Sequence, residues 1–321
     1  MPRGNRLARR SCCRLGHRCR HEEDYVSATA TTDTYPTRAG QAQVIPRENE
    51  VVFGAAADGP FAADELDSFA EKGYALIDRL VAVGELDGLR AELNRLSDDP
   101  EVRADERTVV EAKSQEVRSI FDVHRTSDVF GRIARDPRVV DRARQLLGSE
   151  VYIHQSRVNF KPGFDGKEFS WHSDFETWHA EDGMPAPRAV SISISLTDNY
   201  SFNGPLMIMP GSHQEFISCV GQTPDDNYKS SLVMQGAGTP DRDTLTKFAD
   251  RYGIDVLEGQ AGGAIMFDSN CMHASNGNVT PFARSNIFIV YNSVENTPKQ
   301  PYAAPAPRPS FLGSRDFTPV G

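Results

Sequence analysis

No stretch of this 321-residue chain comes near the roughly 18 consecutive apolar residues that a membrane-spanning helix needs, so the reading contains no such helix. Basic charge is in deficit too: 35 lysines and arginines stand against 45 acids, a formal net charge of −10. Phosphate contact calls for a basic face, so nucleic acid is not an expected partner. Cysteines number five, without a C-x-x-C pair. Three of them, Cys12, Cys13 and Cys19, sit in the first 20 residues near His17 and His21, among seven arginines and no acid. Two readings of residues 1–30 stand: a zinc site, whose spacing departs from the paired pattern, and a disordered extension or a start placed too early. Arg9-Arg10 has the form of a twin-arginine signal, but no apolar stretch follows, so export is not expected. Cys219 and Cys271 lie far apart, which gives no disulfide framework and suits a reducing cytoplasm.

Residues 31–321 are expected to form one domain. An irregular arm leads to helical patterning from Pro60 to Gly73. A second amphipathic run, Val83–Leu96, sets Leu86, Leu89, Leu93 and Leu96 on one face. Pro137–Leu147 repeats the design with Gly148 as its stop. Residues 60–148 thus read as a helical scaffold. From Glu150 the period changes. Val151–Phe160 alternates, with Gln155, Arg157 and Asn159 sharing a face whose direction the pattern leaves open. Ala189–Thr197 alternates most cleanly; Leu206–Met209, Gly263–Phe267 and Arg284–Tyr291 follow as strands. Thr239-Pro240 reads as an N-cap and first helical residue for a helix to about Tyr252. The proline-rich tail from Pro298 is expected on the surface. Short strands bounded by Gly and Pro predict a sandwich or jelly roll over about 150–293, buttressed by the preceding helices.

The chemistry centres on Phe169–Asp182, F-S-W-H-S-D-F-E-T-W-H-A-E-D. His172 and Asp174 are two apart, so on an extended segment they project to one side. With a third ligand they would make a two-histidine, one-carboxylate face, leaving the opposite face of the metal open as in non-haem Fe(II) oxygenases. His179-x-Glu181 and His213-x-Glu215 compete with this dyad as surface pairs. Phe169, Trp171, Phe175 and Trp178 surround His172-x-Asp174 as an apolar collar, though any one of them could simply be core. His273, after the strand at Gly263–Phe267, is the candidate third ligand; the plainer reading of a lone histidine is a hydrogen-bonded structural residue. Arg284, eleven residues on, favours the metal reading. A chelating 2-oxo diacid presents a distal carboxylate that a guanidinium can hold through two parallel hydrogen bonds.

This ordered set resembles the phytanoyl-CoA hydroxylase-like branch of the Fe(II)/2-oxoglutarate dioxygenases. Phe169–Pro185, Asn203–Met207 (N-G-P-L-M), Pro210–His213 (P-G-S-H), Ser275–Asn278 (S-N-G-N) and Arg284–Asn296 narrow the resemblance to the ectoine hydroxylase family. It spans about Asp33 to Phe311; residues 1–30 depart from it. The resemblance implies a double-stranded β-helix (jelly roll, cupin-like), mainly β with flanking helices. It implies iron on His172, Asp174 and His273, and 2-oxoglutarate on Phe169, Asn159, Ser193, Ser275 and Arg284, with Lys161 nearby. It also implies a substrate pocket of Gln155, Arg157, Trp178, Phe267, Asn286 and Phe288. The implied reaction uses dioxygen and 2-oxoglutarate to hydroxylate ectoine, a compatible solute, at its 5 position, releasing succinate and carbon dioxide. An aspartate in the ligand set favours hydroxylation over halogenation, where a small residue stands instead. Arg157 would clamp the substrate carboxylate, Trp178 would wall its ring, and Glu176 would offset the ring's positive charge or serve as a structural hydrogen-bonding residue. A homodimer in the cytoplasm is the family's expectation. Two alternatives remain from the residues: a hydroxylase of another small amino-acid-like substrate, and a non-catalytic barrel that binds a zwitterionic solute.

Overall fold

Residues 33–111, 114–232 and 236–321 are described by the structure, a computed structural model. The Arg- and Cys-rich head, with both readings of residues 1–30, therefore lies outside the described residues. In chain order the strands are β1 (Gln43–Pro46), β2 (Tyr74–Ile77), β3 (Thr108–Val110) and β4 (Val117–Phe121). Then come β5 (Val151–Lys161), β6 (Phe169–His172), β7 (Ala189–Ser195), β8 (Leu206–Ile208) and β9 (Glu215–Ser218). The last four are β10 (Asp255–Leu257), β11 (Ala264–Asp268), β12 (His273–Ser275) and β13 (Arg284–Ser293).

The alternation of β7 explains the architecture. Val190, Ile192 and Ile194 point one way, into a core shared with the helices; Ser191, Ser193 and Ser195 point the other way. All seven residues are nonetheless buried, because both faces of the strand are covered. β7 lies within an antiparallel seven-stranded sheet, β2-β11-β7-β13-β5-β4-β3. Its outer face carries Ile192, Ile194, Ile287, Ile289 and Tyr291, packed against Leu86, Leu89, Leu93, Leu96, Val139 and Leu146 of the helices. Its inner face meets a four-stranded sheet, β10-β8-β12-β6, through Leu206, Ile208, Leu257, Phe267 and Phe288. These two facing sheets with flanking helices are the expected double-stranded β-helix.

The helices begin and end where their chemistry dictates. Val83–Asp98 buries the four leucines of its apolar face. Pro137–Leu147 starts at Asp136, whose carboxylate accepts from the Arg138 N–H, with proline at the first turn. It ends at Gly148, where φ is 58° and a β-carbon would lie 2.6 Å from Cβ of Phe53.

Three elements differ from the sequence expectations. The stretch 60–148 is not purely helical: β2, β3 and β4 fall inside it and join the large sheet. These strands have three to five residues, too few for alternation to stand out from the neighbouring helices. The helix ending at Tyr252 starts at Arg242 and is capped by Asp241, which accepts from Thr244 N–H, so the cap is not Thr239. The tail is not merely superficial, since Phe311 and Leu312 pack against Phe121 and Arg308 is largely buried. In the arm, Tyr35 is buried against Phe175 and Phe216.

Leu146 is fully enclosed between its helix and the sheet. Leu146→Ala is expected to cost about 2–5 kcal/mol, read as a lower urea midpoint with an unchanged slope.

Candidate functional site

The inner face of β5 becomes polar through a register shift. Val290 pairs with Gln155 but Tyr291 pairs with Ile153, so His154 is an extra residue. Before this bulge the odd-numbered Val151 and Ile153 face the apolar core; beyond it the even-numbered Val158 does. The bulge therefore turns Gln155, Arg157 and Asn159 inward, where they line a cavity between the sheets. His154 itself bonds Asp182 at 3.1 Å.

The three expected ligands converge on this cavity. Antiparallel pairing of β12 with β6 sets His273 opposite His172. Beyond β6 the chain stays extended through Ser173, so Asp174 emerges on the same side. One ligand atom from each residue lies within 4.8 Å of the others. Oδ1 of Asp174 is 3.6 Å from Nε2 of His172 and 3.9 Å from Nε2 of His273. The remaining ring nitrogens are already engaged: Nδ1 of His172 bonds Ser170 O at 2.8 Å, and Nδ1 of His273 bonds Cys271 O at 3.0 Å. A carbonyl only accepts, so each Nδ1 carries the proton and each Nε2 offers a lone pair. Ser191 donates to Oδ2 of Asp174 at 3.2 Å, leaving Oδ1 for a metal. Orienting bonds of this kind are what a metal-ligating set needs, and the donors fit a ferrous ion with open coordination positions. Burial pushes the Asp174 carboxyl up, but His273, His172 and Arg157 outweigh it and hold it well below the usual range. Burial and the neighbouring His172 push His273 down to about 4, so it is the neutral, ligating form at neutral pH.

One end of the cavity is cationic. Arg284 opens β13, is buried, and has no hydrogen-bond partner for its Nε among the described residues. Burial pushes it down to about 10. A buried guanidinium without a counter-charge is costly unless an anion meets it. Lys161 donates to Ser275 Oγ at 2.9 Å and to Asn276 O. Burial, then Arg284 and Arg118, push its amine down to about 7. Phe169 lies edge-on to His172 with ring centroids 4.9 Å apart. Asn159 bonds Ser119 at 2.8 Å. Toward the other end, Arg157 lies 4.7 Å from the Phe288 ring centroid and donates to Gln155 Oε1 at 2.6 Å. Gln155 in turn donates to Leu312 O at 2.7 Å, so the tail sets the orientation of its amide. Trp178 closes this side.

Three of the expected contacts stand one layer back from the cavity wall. Ser193 accepts from Asn286 at 2.6 Å, and neither lines the cavity. Phe267 packs beneath His273, with centroids 5.0 Å apart. Half of the aromatic collar also belongs elsewhere: Phe175 joins the Tyr35 cluster and Trp171 packs by Met209 and Met272. The competing dyads have structural employment. His179 stacks on Tyr302 at 3.9 Å, and His213 bonds Ala70 O at 3.1 Å. Arg118, Glu181 and Arg308 line the cavity without having been singled out as wall residues. Arg118 lies on the short β4 and Arg308 in an aperiodic tail, so neither carried a pattern.

Comparison with known proteins agrees with this geometry. The family described as Phytanoyl-CoA dioxygenase (PhyH) matches residues 69–286. The chain is similar to an ectoine dioxygenase of Streptomyces anulatus, 58% identical over 296 residues and covering 92% of this chain and 100% of that one. It is also similar to that of Halomonas elongata, 50% identical, covering 87% and 85%. The crystal structure of EctD from S. alaskensis with 2-oxoglutarate and 5-hydroxyectoine superposes with a TM-score of 0.81 at 43% identity, covering 90% and 96%. The same protein with bound Fe gives 0.79 at 44% identity, covering 88% and 95%.

Asp174→Asn removes the anionic ligand while keeping the side chain's size. It is expected to lower Fe(II) affinity by at least about 10–100-fold, measured as iron retained after anaerobic gel filtration.

Proposed function

The chain belongs to the phytanoyl-CoA dioxygenase family, alongside the ectoine dioxygenases, and from this we propose that it converts ectoine, 2-oxoglutarate and dioxygen into 5-hydroxyectoine, succinate and carbon dioxide. The observation that carries the reading is the convergence of His172, Asp174 and His273 on a cavity that also holds the buried Arg284, whose Nε has no hydrogen-bond partner among the described residues. When bound on those three residues, ferrous iron supplies the dioxygen chemistry that couples oxidative decarboxylation of the 2-oxo acid to hydroxylation.

The chain's own residues bind, orient and exclude water. Arg284 takes the distal carboxylate of 2-oxoglutarate in a planar, permanently charged fork. Lys161 and Ser275 flank it, and Phe169 covers its approach. Arg157 clamps the substrate carboxylate. Phe288 and Trp178 supply apolar walls for the ring. Asn159, on the cavity wall, adds a polar contact to 2-oxoglutarate, while Ser193, Phe267 and Asn286 act in this proposal as supports, keeping β7, β11 and β13 in register around the ligands. The proposal extends to a homodimer, checked by light scattering, and to the cytoplasm, where the buried free thiols Cys219 and Cys271 would remain reduced.

The direct test is succinate release with and without ectoine, with a product one oxygen atom heavier. Strong release only with ectoine supports the reading; a folded, iron-loaded protein that leaves ectoine unchanged overturns it. Arg157→Ala removes a charge-assisted contact worth about 1.5–3 kcal/mol, so the ectoine KM should rise roughly 10–100-fold with iron content retained.

A pH effect follows from Lys161. Burial and the neighbouring Arg284 push its amine down to about 7, and a bound dianion favours the protonated form. Binding of 2-oxoglutarate should therefore take up a proton above pH 7 and weaken as pH rises. Calorimetry in buffers of different ionisation enthalpy reads this uptake, and Lys161→Met should abolish it.

A further inference from the structure

The segment that carries Asp174 also carries Glu176, Glu181 and Asp182, all buried. Their positive partners do not balance them one for one. Arg308 pairs with Asp182 at 2.8 and 2.5 Å. Arg308 acts on Glu181 only through space, and among the described residues Arg38 is the one cation that hydrogen-bonds both glutamates. Its Nε and Nη2 donate to the two oxygens of Glu176 at 3.1 and 3.0 Å, and Thr37 adds a bond of 2.7 Å. Both oxygens of Glu176 are thus used, and it does not line the cavity. It is a structural anchor for the arm.

Glu181 is different. Its Oε1 accepts from Arg38 Nη1 at 2.7 Å and from Asn227 at 2.8 Å. Among the described residues its Oε2 has no hydrogen bond, and the side chain lines the cavity beside Thr177, Trp178 and Arg308. Three carboxylates, Glu176, Glu181 and Asp182, against the two guanidiniums of Arg38 and Arg308 leave one negative charge in excess here. The far end of the same cavity holds Arg284 and Lys161, with no carboxylate paired to either among the described residues, while Arg118 there pairs with Glu111 at 3.0 Å. The site is therefore polarised along its length, with Arg157 between the ends.

We propose that Glu181 is a specificity-determining residue: its free oxygen supplies the counter-charge for a delocalised amidinium-like cation on the substrate ring, with Arg157 on the ring's carboxylate. Arg38 and Asn227 hold the Glu181 carboxylate in place, and the indole of Trp178 offers the cation a second, weaker partner. A neutral ring of the same shape would leave the carboxylate without an opposite charge, so the wall selects for the cation. This inference rests on the ectoine reading for its substrate class but is tested by binding.

The experiment uses the full chain loaded with Fe(II) and 2-oxoglutarate, without dioxygen. It measures the Kd of ectoine and of a six-membered lactam carboxylate, similar in size but uncharged on the ring. Wild type should prefer ectoine by roughly tenfold or more, the scale of one charge-assisted contact. Glu181→Gln retains acceptors for Arg38 and Asn227 and should erase that preference by weakening ectoine alone; Glu181→Asp should restore part of it. Aerobically, Glu181→Gln should raise the ectoine KM by more than it lowers kcat. The inference is overturned if wild type shows no preference, or if Glu181→Gln keeps it or weakens both ligands equally. Should Glu181→Gln fail to fold, the wild-type preference and Glu181→Asp decide. Absence of ectoine turnover by wild type would sink the proposed reaction and leave the binding test standing.

Discussion

Antiparallel pairing of β12 with β6 is the constraint on which the site depends. It places His273 across from His172, about a hundred residues away in the chain. Side chains alternate along a strand, so a slip of one residue would turn one imidazole out of the cavity. Register in so short a strand cannot rest on its own ladder, and bonds around its ends supply the rest. Phe175 N–H donates to Ser269 O at 2.8 Å, and Ser173 donates to Asn270 Oδ1 at 3.2 Å. Met272 N–H donates to Ser212 Oγ at 2.9 Å, tying the turn before His273 to the P-G-S-H loop. Asn270, which accepts from Ser173 through Oδ1, donates through Nδ2 to the carbonyls of His213 and Glu215. Thus the segments flanking both metal-ligating strands are tied to each other and to a common loop, independently of any ion.

Much of the site was legible because it lies in strands long enough to show their period or in compact motifs. Ala189–Thr197 announced both its faces, and His172-x-Asp174, His273 and Arg284 occur where strands end or begin. The bulge at His154 was written in the sequence too, as a change from odd to even apolar positions between Ile153 and Val158. A search for uninterrupted alternation passes over it. The three short strands within the helical half were not legible, since their residues are held by pairing with distant partners and not by local pattern. Arg308 was hidden for a related reason: proline-rich segments have no period, and the burial of this arginine is dictated by Asp182. Of the two readings of Glu176, a counter-charge for the ring or a structural hydrogen-bonding residue, its bonds to Arg38 and Thr37 favour the second.

The chain's termini explain how so many charges survive inside one segment. The arm contributes Arg38, which spans Glu176 and Glu181 and also reaches Thr223 at 2.8 Å. The tail contributes Arg308 to Asp182, and Arg315 donates to the Asp182 carbonyl at 2.6 Å. Gly313 permits this approach, because a β-carbon there would lie 2.6 Å from Cγ of Asp182. Buried ion pairs seldom add net stability, since desolvation offsets most of their attraction. What they do impose is direction: a guanidinium in contact with two carboxylates tolerates few arrangements of the backbone between them. Residues 174–182 carry the proposed metal ligand Asp174 at one end and cavity-wall side chains at the other, so their backbone path sets the distance between that carboxylate and the wall. Apolar packing alone would hold such a turn in place but would tolerate rotation about its axis. The charged anchors from both ends of the domain restrict that rotation, and so the orientation of Trp178 and Glu181 relative to Asp174 is held by residues outside the metal-binding motif.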